Sequence, residues 1–264
     1  MNDDATLRHV TSADGTTLAY ERHGDGPAVI LICGAAVDRR ANAGLAAALA
    51  PDFAVYNFDR RGRGDSGDTP PYAVDREIED VAAMLGAAGG SAHVCGSSSG
   101  AALALLAAAR RLPVIRMVLW EPPYMTDAAT RPPADAADTL ERLVAEGRRA
   151  DAVDYFMTEV VGMPPEAVKA ARARPWRADQ ENVAHTLAYD DRILGDYSVP
   201  LGAAARVAAP TLILTGGKSF PFLRRTAEAL AEAIPDGRVD VLEGQEHVVD
   251  PTVLAPRVTA FLKG

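Results

Sequence analysis

The sequence predicts an α/β protein built on a mostly parallel sheet of eight strands flanked by helices, with a helical insertion after the sixth strand. Three observations predict it. Strand-like apolar runs alternate with helix-like segments from residue 28 to residue 120, as βαβ units require. The rhythm breaks over residues 122–205, where proline pairs at 122–123, 132–133 and 164–165 accompany amphipathic helical patterns and no convincing strand. It resumes at Pro210. The chain has 264 residues, 48% hydrophobic and 24% charged, which is enough for one large core. Residues 1–121 and 206–264 are therefore expected to form one sheet domain, with 122–205 inserted in it as a helical cap.

Residues 6–11 and 17–23 alternate apolar and polar side chains around Asp14-Gly15, a hairpin dipeptide, and read as two antiparallel strands. Ala28-Val29-Ile30-Leu31-Ile32-Cys33 is continuously apolar, which suits a strand covered on both faces. The periodicity then places a helix near 40–50, a strand at 53–58, a helix near 74–88, a strand at 92–97, a helix at 99–110 and a strand at 114–120. Within the insertion, 136–146 and 150–161 carry amphipathic helical spacing. A strand at 211–215, a helix near 222–233, a short strand at 238–242 and a final helix near 251–262 complete the series.

Thirty-six acidic and 27 basic residues leave a net charge of -9. No block of like charge reaches the roughly five or six residues of a polyanion-binding tail, so neither nucleic acid nor a membrane surface is an expected partner. No apolar segment is long enough to span a bilayer. Met1-Asn2-Asp3-Asp4 is followed by no apolar run, so no secretory signal is expected. Cys33 and Cys95 fall in apolar strand-like segments, which suits free thiols in a reducing, cytoplasmic setting. No pair of His or Cys has ligand spacing, so neither a metal nor a cofactor is expected.

Gly96-Ser97-Ser98-Ser99-Gly100 stands between the strand at 92–97 and an alanine-rich helix. Glycine and serine are common in loops; the flanking strand and helix are what set this pentapeptide apart. A strand-to-helix turn this tight tolerates only small residues two before and two after its centre. Ser98 is that centre, expected in a strained backbone with its hydroxyl above the sheet, where the first amides of the next helix also point. A serine hydroxyl needs a base. Of five histidines, His9 and His23 fall in the hairpin, His93 inside the preceding strand and His185 in the insertion. His247 lies in Glu243-Gly244-Gln245-Glu246-His247, between the last strand and the last helix, where functional loops of such sheets gather. A carboxylate should orient its imidazole. Thr215-Gly216-Gly217-Lys218-Ser219-Phe220-Pro221 contains none, whereas Glu121 directly follows the strand at 114–120. A salt bridge holding the insertion is the alternative use of Glu121, and Asp127 and Asp250 are weaker candidates for the acid.

Together these residues resemble the α/β-hydrolase superfamily over essentially the whole chain. Asp59-Arg60-Arg61-Gly62-Arg63-Gly64-Asp65-Ser66 is similar to the D-x-x-G-x-G-x-S segment after the fourth strand of many lid-bearing members. Pro210–Gly216 resembles their return strand, Glu243–His247 their histidine loop, and the order serine, acid, histidine is theirs. The Asp59–Ser66 run lacks the ending of a phosphate-binding P-loop and reads as a rigid turn with surface arginines. The resemblance implies an oxyanion hole made by the N–H groups of Ala35 and Ser99. Two positions depart from the pattern: Cys33-Gly34-Ala35 stands where members usually have His-Gly, and Ser219 where many have the catalytic Asp. Some relatives take the acid from the end of the sixth strand, the place of Glu121.

What the resemblance implies is a hydrolase with Ser98 as nucleophile, His247 as base and Glu121 as acid, acting on a small ester, lactone or thioester through an acyl-enzyme. Serine at the elbow separates it from epoxide hydrolases and haloalkane dehalogenases, which use Asp there. Cys33, Tyr124, Tyr155, Trp176 and His185 are the candidates for lining the substrate pocket, although such aromatic residues serve equally to pack an insertion's own core. Two rivals stand beside this reading. One is an enzyme of the same fold that cleaves C–C bonds, eliminates or cyclises using His247 without acylating Ser98; the other is a binding protein without chemistry.

Overall fold

The computed structural model describes residues 6–264; the N-terminal tetrapeptide, and the expectation attached to it, lie outside the described residues. The hairpin is β1 (Arg8–Thr11) and β2 (Thr17–His23). Its turn is closed by the Thr16 N–H donating to Asp14 Oδ1 at 3.0 Å, with Gly15 in the left-handed region at φ 87°. The alternating stretch follows as β3 (Ala28–Ile32), α1 (Ala43–Leu49), β4 (Ala54–Phe58), α2 (Val74–Ala87), β5 (Ala92–Ser97), α3 (Ser99–Ala109) and β6 (Val114–Trp120). The next stretch is helical: α4 (Ala136–Ala145), α5 (Arg149–Tyr155), α6 (Pro165–Ala171), α7 (Arg177–Asn182), α8 (Leu187–Leu194) and α9 (Leu201–Ala204). Then come β7 (Thr211–Gly216), α10 (Pro221–Ala233), β8 (Gly237–Leu242) and α11 (Pro251–Lys263).

The eight strands form one sheet in the order β1-β2-β4-β3-β5-β6-β7-β8. β2 runs antiparallel to β1 and β4, and every other pairing is parallel. Period-two alternation sorts side chains to the two faces. Along β3, Val29 and Leu31 pack with Leu45 and Leu49 of α1 and Val258 of α11. Ile30 and Ile32 pack on the opposite face with Val81 of α2 and Leu103 of α3. Both faces are thus covered, which is why the parallel strands read as unbroken apolar runs. Every residue of α3 except Leu106 is buried, as expected of a helix that is apolar all round.

The strand order reverses at β3, which lies between β4 and β5. Crevices at the carboxyl ends of strands beside such a reversal are where open α/β sheets bind ligands. Register brings those ends level: Ile32 is opposite Gly96, Ser97 opposite Trp120, and Gly216 opposite Leu242. The residues that follow each strand consequently share one rim. They include Cys33–Ala35, Ser98, Glu121, Ser219 and His247.

Candidate active site

Ser98 joins β5 to α3 at φ 53° and ψ -123°, a backbone conformation that a side chain adopts only under strain. Hydrogen bonds to both its N–H and its carbonyl hold it there. Its N–H donates to the Trp120 carbonyl at 2.8 Å, and its own carbonyl accepts from Ala101 N–H at 2.9 Å. The flanking glycines are required by space. A methyl group on Gly96 would lie 2.5 Å from the Gly100 oxygen, and one on Gly100 would lie 2.4 Å from the Cys33 oxygen. Gly34 is pressed against the serine as well, since a methyl group on it would sit 3.1 Å from Ser98 Cβ. Ser98 itself is half-buried.

Glu121 follows β6 and is fully buried, with φ 46°. Its carboxylate has four donors: Gly216 N–H at 2.7 Å and Thr215 Oγ1 at 3.0 Å on Oε1, Ser219 Oγ at 2.9 Å and His247 Nδ1 at 2.6 Å on Oε2. Burial by itself pushes the Glu121 pKa up, but the hydrogen bonds from His247 and Gly216 outweigh it and leave the carboxyl below its ordinary range. An ionised carboxylate only accepts, so it fixes the proton of a neutral imidazole on Nδ1 and leaves Nε2 as the basic nitrogen. The other side of His247 is held through its backbone. Trp120 Nε1 donates to the His247 carbonyl at 2.9 Å, so Trp120 ties the elbow to the histidine loop. No hydrogen bond joins Ser98 Oγ to His247 among the described residues.

The Asp59–Ser66 turn corrects the expectation of surface arginines. Arg60, Arg61 and Arg63 are 0%, 1% and 1% exposed. Each is buried together with its counter-charge, the condition under which a guanidinium can leave water. Arg60 forks onto Glu77 and also meets Asp190; Arg61 forks onto Asp80 and meets Asp14; Arg63 meets Asp190 and the Gly34 carbonyl. The turn is therefore an internal brace. Asp59, also fully buried, accepts from Arg39 and from the Asp65 N–H.

The remaining residues singled out in the sequence are scattered. Ala35 lies beside Gly34 on the rim, and Ser99 begins α3 with its hydroxyl buried against Asp190. Cys33 is fully buried, its thiol facing the Val37 carbonyl at 3.7 Å and pushed up in pKa by burial. Tyr124 is buried in the core, Tyr155 packs at that core's edge, and Trp176 is 48% exposed beside α7. His185 is half-buried near Asp68 and stacks edge-on against Tyr189; burial lowers its pKa. Asp127 and Asp250 each cap a helix, accepting from Ala129 and Thr252 N–H. Among the described residues no cluster of three or more His, Cys, Asp or Glu could hold a metal ion, and no helix is long and apolar enough to cross a membrane.

No motif marks Trp120, Thr215 or Asp190. One signal for Asp190 was present in the pattern. Leu187, Asp190, Asp191 and Leu194 have i, i+3, i+4, i+7 spacing, so two carboxylates stand on the apolar face of α8.

A doubly covered, mostly parallel sheet with a strained strand-to-helix serine at its reversal point defines the α/β hydrolases as a class of fold. The chain belongs to the alpha/beta hydrolase family, whose profile matches residues 29–260. It is 28% identical over 259 residues to an N-formylmaleamate deformylase from Pseudomonas putida, covering 90% of this chain and 88% of that protein. Among solved structures it is similar to an alpha/beta hydrolase from Sphaerobacter thermophilus, with 51% identity, TM-score 0.92, and 97% of this chain and 100% of that one covered. An enol-lactonase from Burkholderia xenovorans shares the fold at 23% identity and TM-score 0.71, over 97% of this chain and 100% of that one.

Proposed function

We propose that the protein is a serine-dependent hydrolase of a small ester, lactone or thioester, and that residues 122–205 cap its site. Ser98 Oγ attacks the acyl carbon while His247 Nε2 takes its proton. The N–H groups of Ala35 and Ser99 hold the oxyanion, each contributing about 2.7–4 kcal/mol to lowering the barrier. The leaving group departs with the proton from His247, giving the acyl-enzyme. Water, deprotonated by His247, then attacks the same carbon, and the acid is released as Ser98 regains its proton. Glu121 stabilises the imidazolium formed in each half. Cys33 and Cys95, both buried and unpaired, suit a cytoplasmic setting.

The observation that carries this reading is the 2.6 Å contact of Glu121 with His247, at the rim that also bears the strained Ser98. A fluorophosphonate should label Ser98, and Ser98→Ala should abolish both labelling and turnover of p-nitrophenyl esters of graded acyl length. Because a 28% identical relative is a deformylase, the substrate panel should include an N-formyl compound. Turnover that survives Ser98→Ala but not His247→Ala would replace the acyl-enzyme with non-acylating chemistry. A protein that binds ligands but is never labelled would be a receptor.

A further inference from the structure

Beside the two amides lies a buried charge cluster that joins three distant parts of the chain. Asp190, in the middle of α8, is fully buried. Its Oδ1 accepts from Ser99 Oγ at 2.7 Å, Arg60 Nη1 at 2.8 Å and Arg63 Nη2 at 2.8 Å. Arg60 grips Glu77 through Nε at 2.7 Å and Nη2 at 3.0 Å, and its Nη1 also donates to Ser99 Oγ at 3.1 Å. Arg63 Nη1 donates to the Gly34 carbonyl at 2.5 Å. The cluster holds two positive and two negative charges.

The Gly34 carbonyl and the Ala35 N–H belong to one planar peptide group. A guanidinium on that carbonyl sets the direction of the amide and polarises it, because hydrogen bonds in a chain strengthen one another. The other proposed donor is the N–H of Ser99, whose hydroxyl is tied to the same Asp190 oxygen. A lone carboxylate near the first turn of α3 would oppose a developing oxyanion, but here two guanidiniums neutralise it. Stability by itself is a weak reason for such a cluster, since removing four charges from water costs about as much as pairing them returns.

We propose that Asp190 is a positioning residue for the oxyanion hole: through Arg63 and the Ser99 hydroxyl it holds both amide donors, coupling the docking of α8 to transition-state stabilisation. This rests on the acyl-enzyme reading above. Labelling of the wild-type protein by a fluorophosphonate tests that reading separately; with no label at Ser98, this inference falls with it.

Given labelling, Asp190→Asn, Ser99→Ala and Arg63→Lys are compared per labelled site. On p-nitrophenyl acetate, kcat should fall roughly 10- to 100-fold in Asp190→Asn and Arg63→Lys, and about 3- to 10-fold in Ser99→Ala, with KM within about twofold. Affinity for a boronic acid, whose adduct with Ser98 is tetrahedral, should fall by the same factor as kcat/KM. If Asp190→Asn does not fold, the other two variants, which keep the carboxylate, decide the matter. Folded variants with wild-type kcat and boronate affinity per site overturn the proposal. So does a loss of kcat with boronate affinity unchanged, the mark of a structural role only.

Discussion

Glu121 combines a left-handed backbone with a carboxylate saturated by four donors, so its side chain has one way to lie and one charge state to hold. Glu121→Gln keeps the shape but puts an NH2 group against a donor, favouring the wrong imidazole tautomer. It should lower kcat by about 10³–10⁴-fold with KM little changed, measured on a substrate of the proposed class. Ser219 Oγ is 2.9 Å from the same carboxylate, and its position is where many members of the superfamily carry the acid. Glu121→Ala combined with Ser219→Asp should therefore recover at least about tenfold of the activity lost in Glu121→Ala alone. No recovery would mean that the end of β7 cannot present a carboxylate to His247.

The depressed pKa of Glu121 also has a thermodynamic sign. A carboxylate whose native pKa lies below its unfolded value stabilises the fold fully above the unfolded value, and loses that contribution as pH falls through the native one. The stability difference between the wild type and Glu121→Gln should thus shrink as pH is lowered from about 6 to about 3, read from urea midpoints. A difference that stays constant or grows would contradict the assignment of charge.

At the scale of elements, β5, the elbow and α3 act with the Cys33–Ala35 loop as one interlocked piece. Gly100→Ala would drive a methyl group to 2.4 Å from the Cys33 oxygen and 2.5 Å from the Ile32 oxygen, both backbone atoms with no room to yield. Overpacking of this kind costs about 1–3 kcal/mol, and here it displaces both the elbow and the loop that carries Ala35. Gly100→Ala should lower the thermal midpoint and reduce fluorophosphonate labelling more steeply than the fraction folded. Labelling that tracks the folded fraction would show that the elbow tolerates the shift. These elements were legible in the sequence because each is announced locally: the glycines by crowding within five residues, β3 and β5 by apolar runs. Boundaries were less so. β3 stops at Ile32 rather than Cys33, and α5 passes at Phe156 into a π-helical turn, since the last hydrogen bonds of an element depend on what it packs against.

Across the whole molecule, the Asp59–Ser66 turn binds the hairpin, the sheet and the helical stretch together through three buried arginines. Arg61, fully buried, holds Asp80 of α2 and Asp14 of the hairpin turn and touches none of the proposed site. Arg61→Met would leave both carboxylates without their cation. It should cost about 3–5 kcal/mol, a fall of about 6–20 °C in thermal midpoint, with labelling per folded molecule retained. A midpoint within about a degree of wild type would show that these charges find other partners or water.

The local patterns of the sequence determined the α/β class, the succession of strands and helices, and the elbow, because periodicity and steric crowding act between residues a few positions apart. The three arginines of the Asp59–Ser66 segment look like surface residues in the sequence because an isolated turn carries no sign of the carboxylates that will neutralise it. Tertiary structure alone decided those partnerships: Arg60 and Arg63 meet Asp190 130 and 127 residues away, and Ser99 meets the same residue 91 positions on. A charge enters the interior only with its counter-charge, and which counter-charge arrives is settled by how the sheet and the helices close, not by any pattern along the chain.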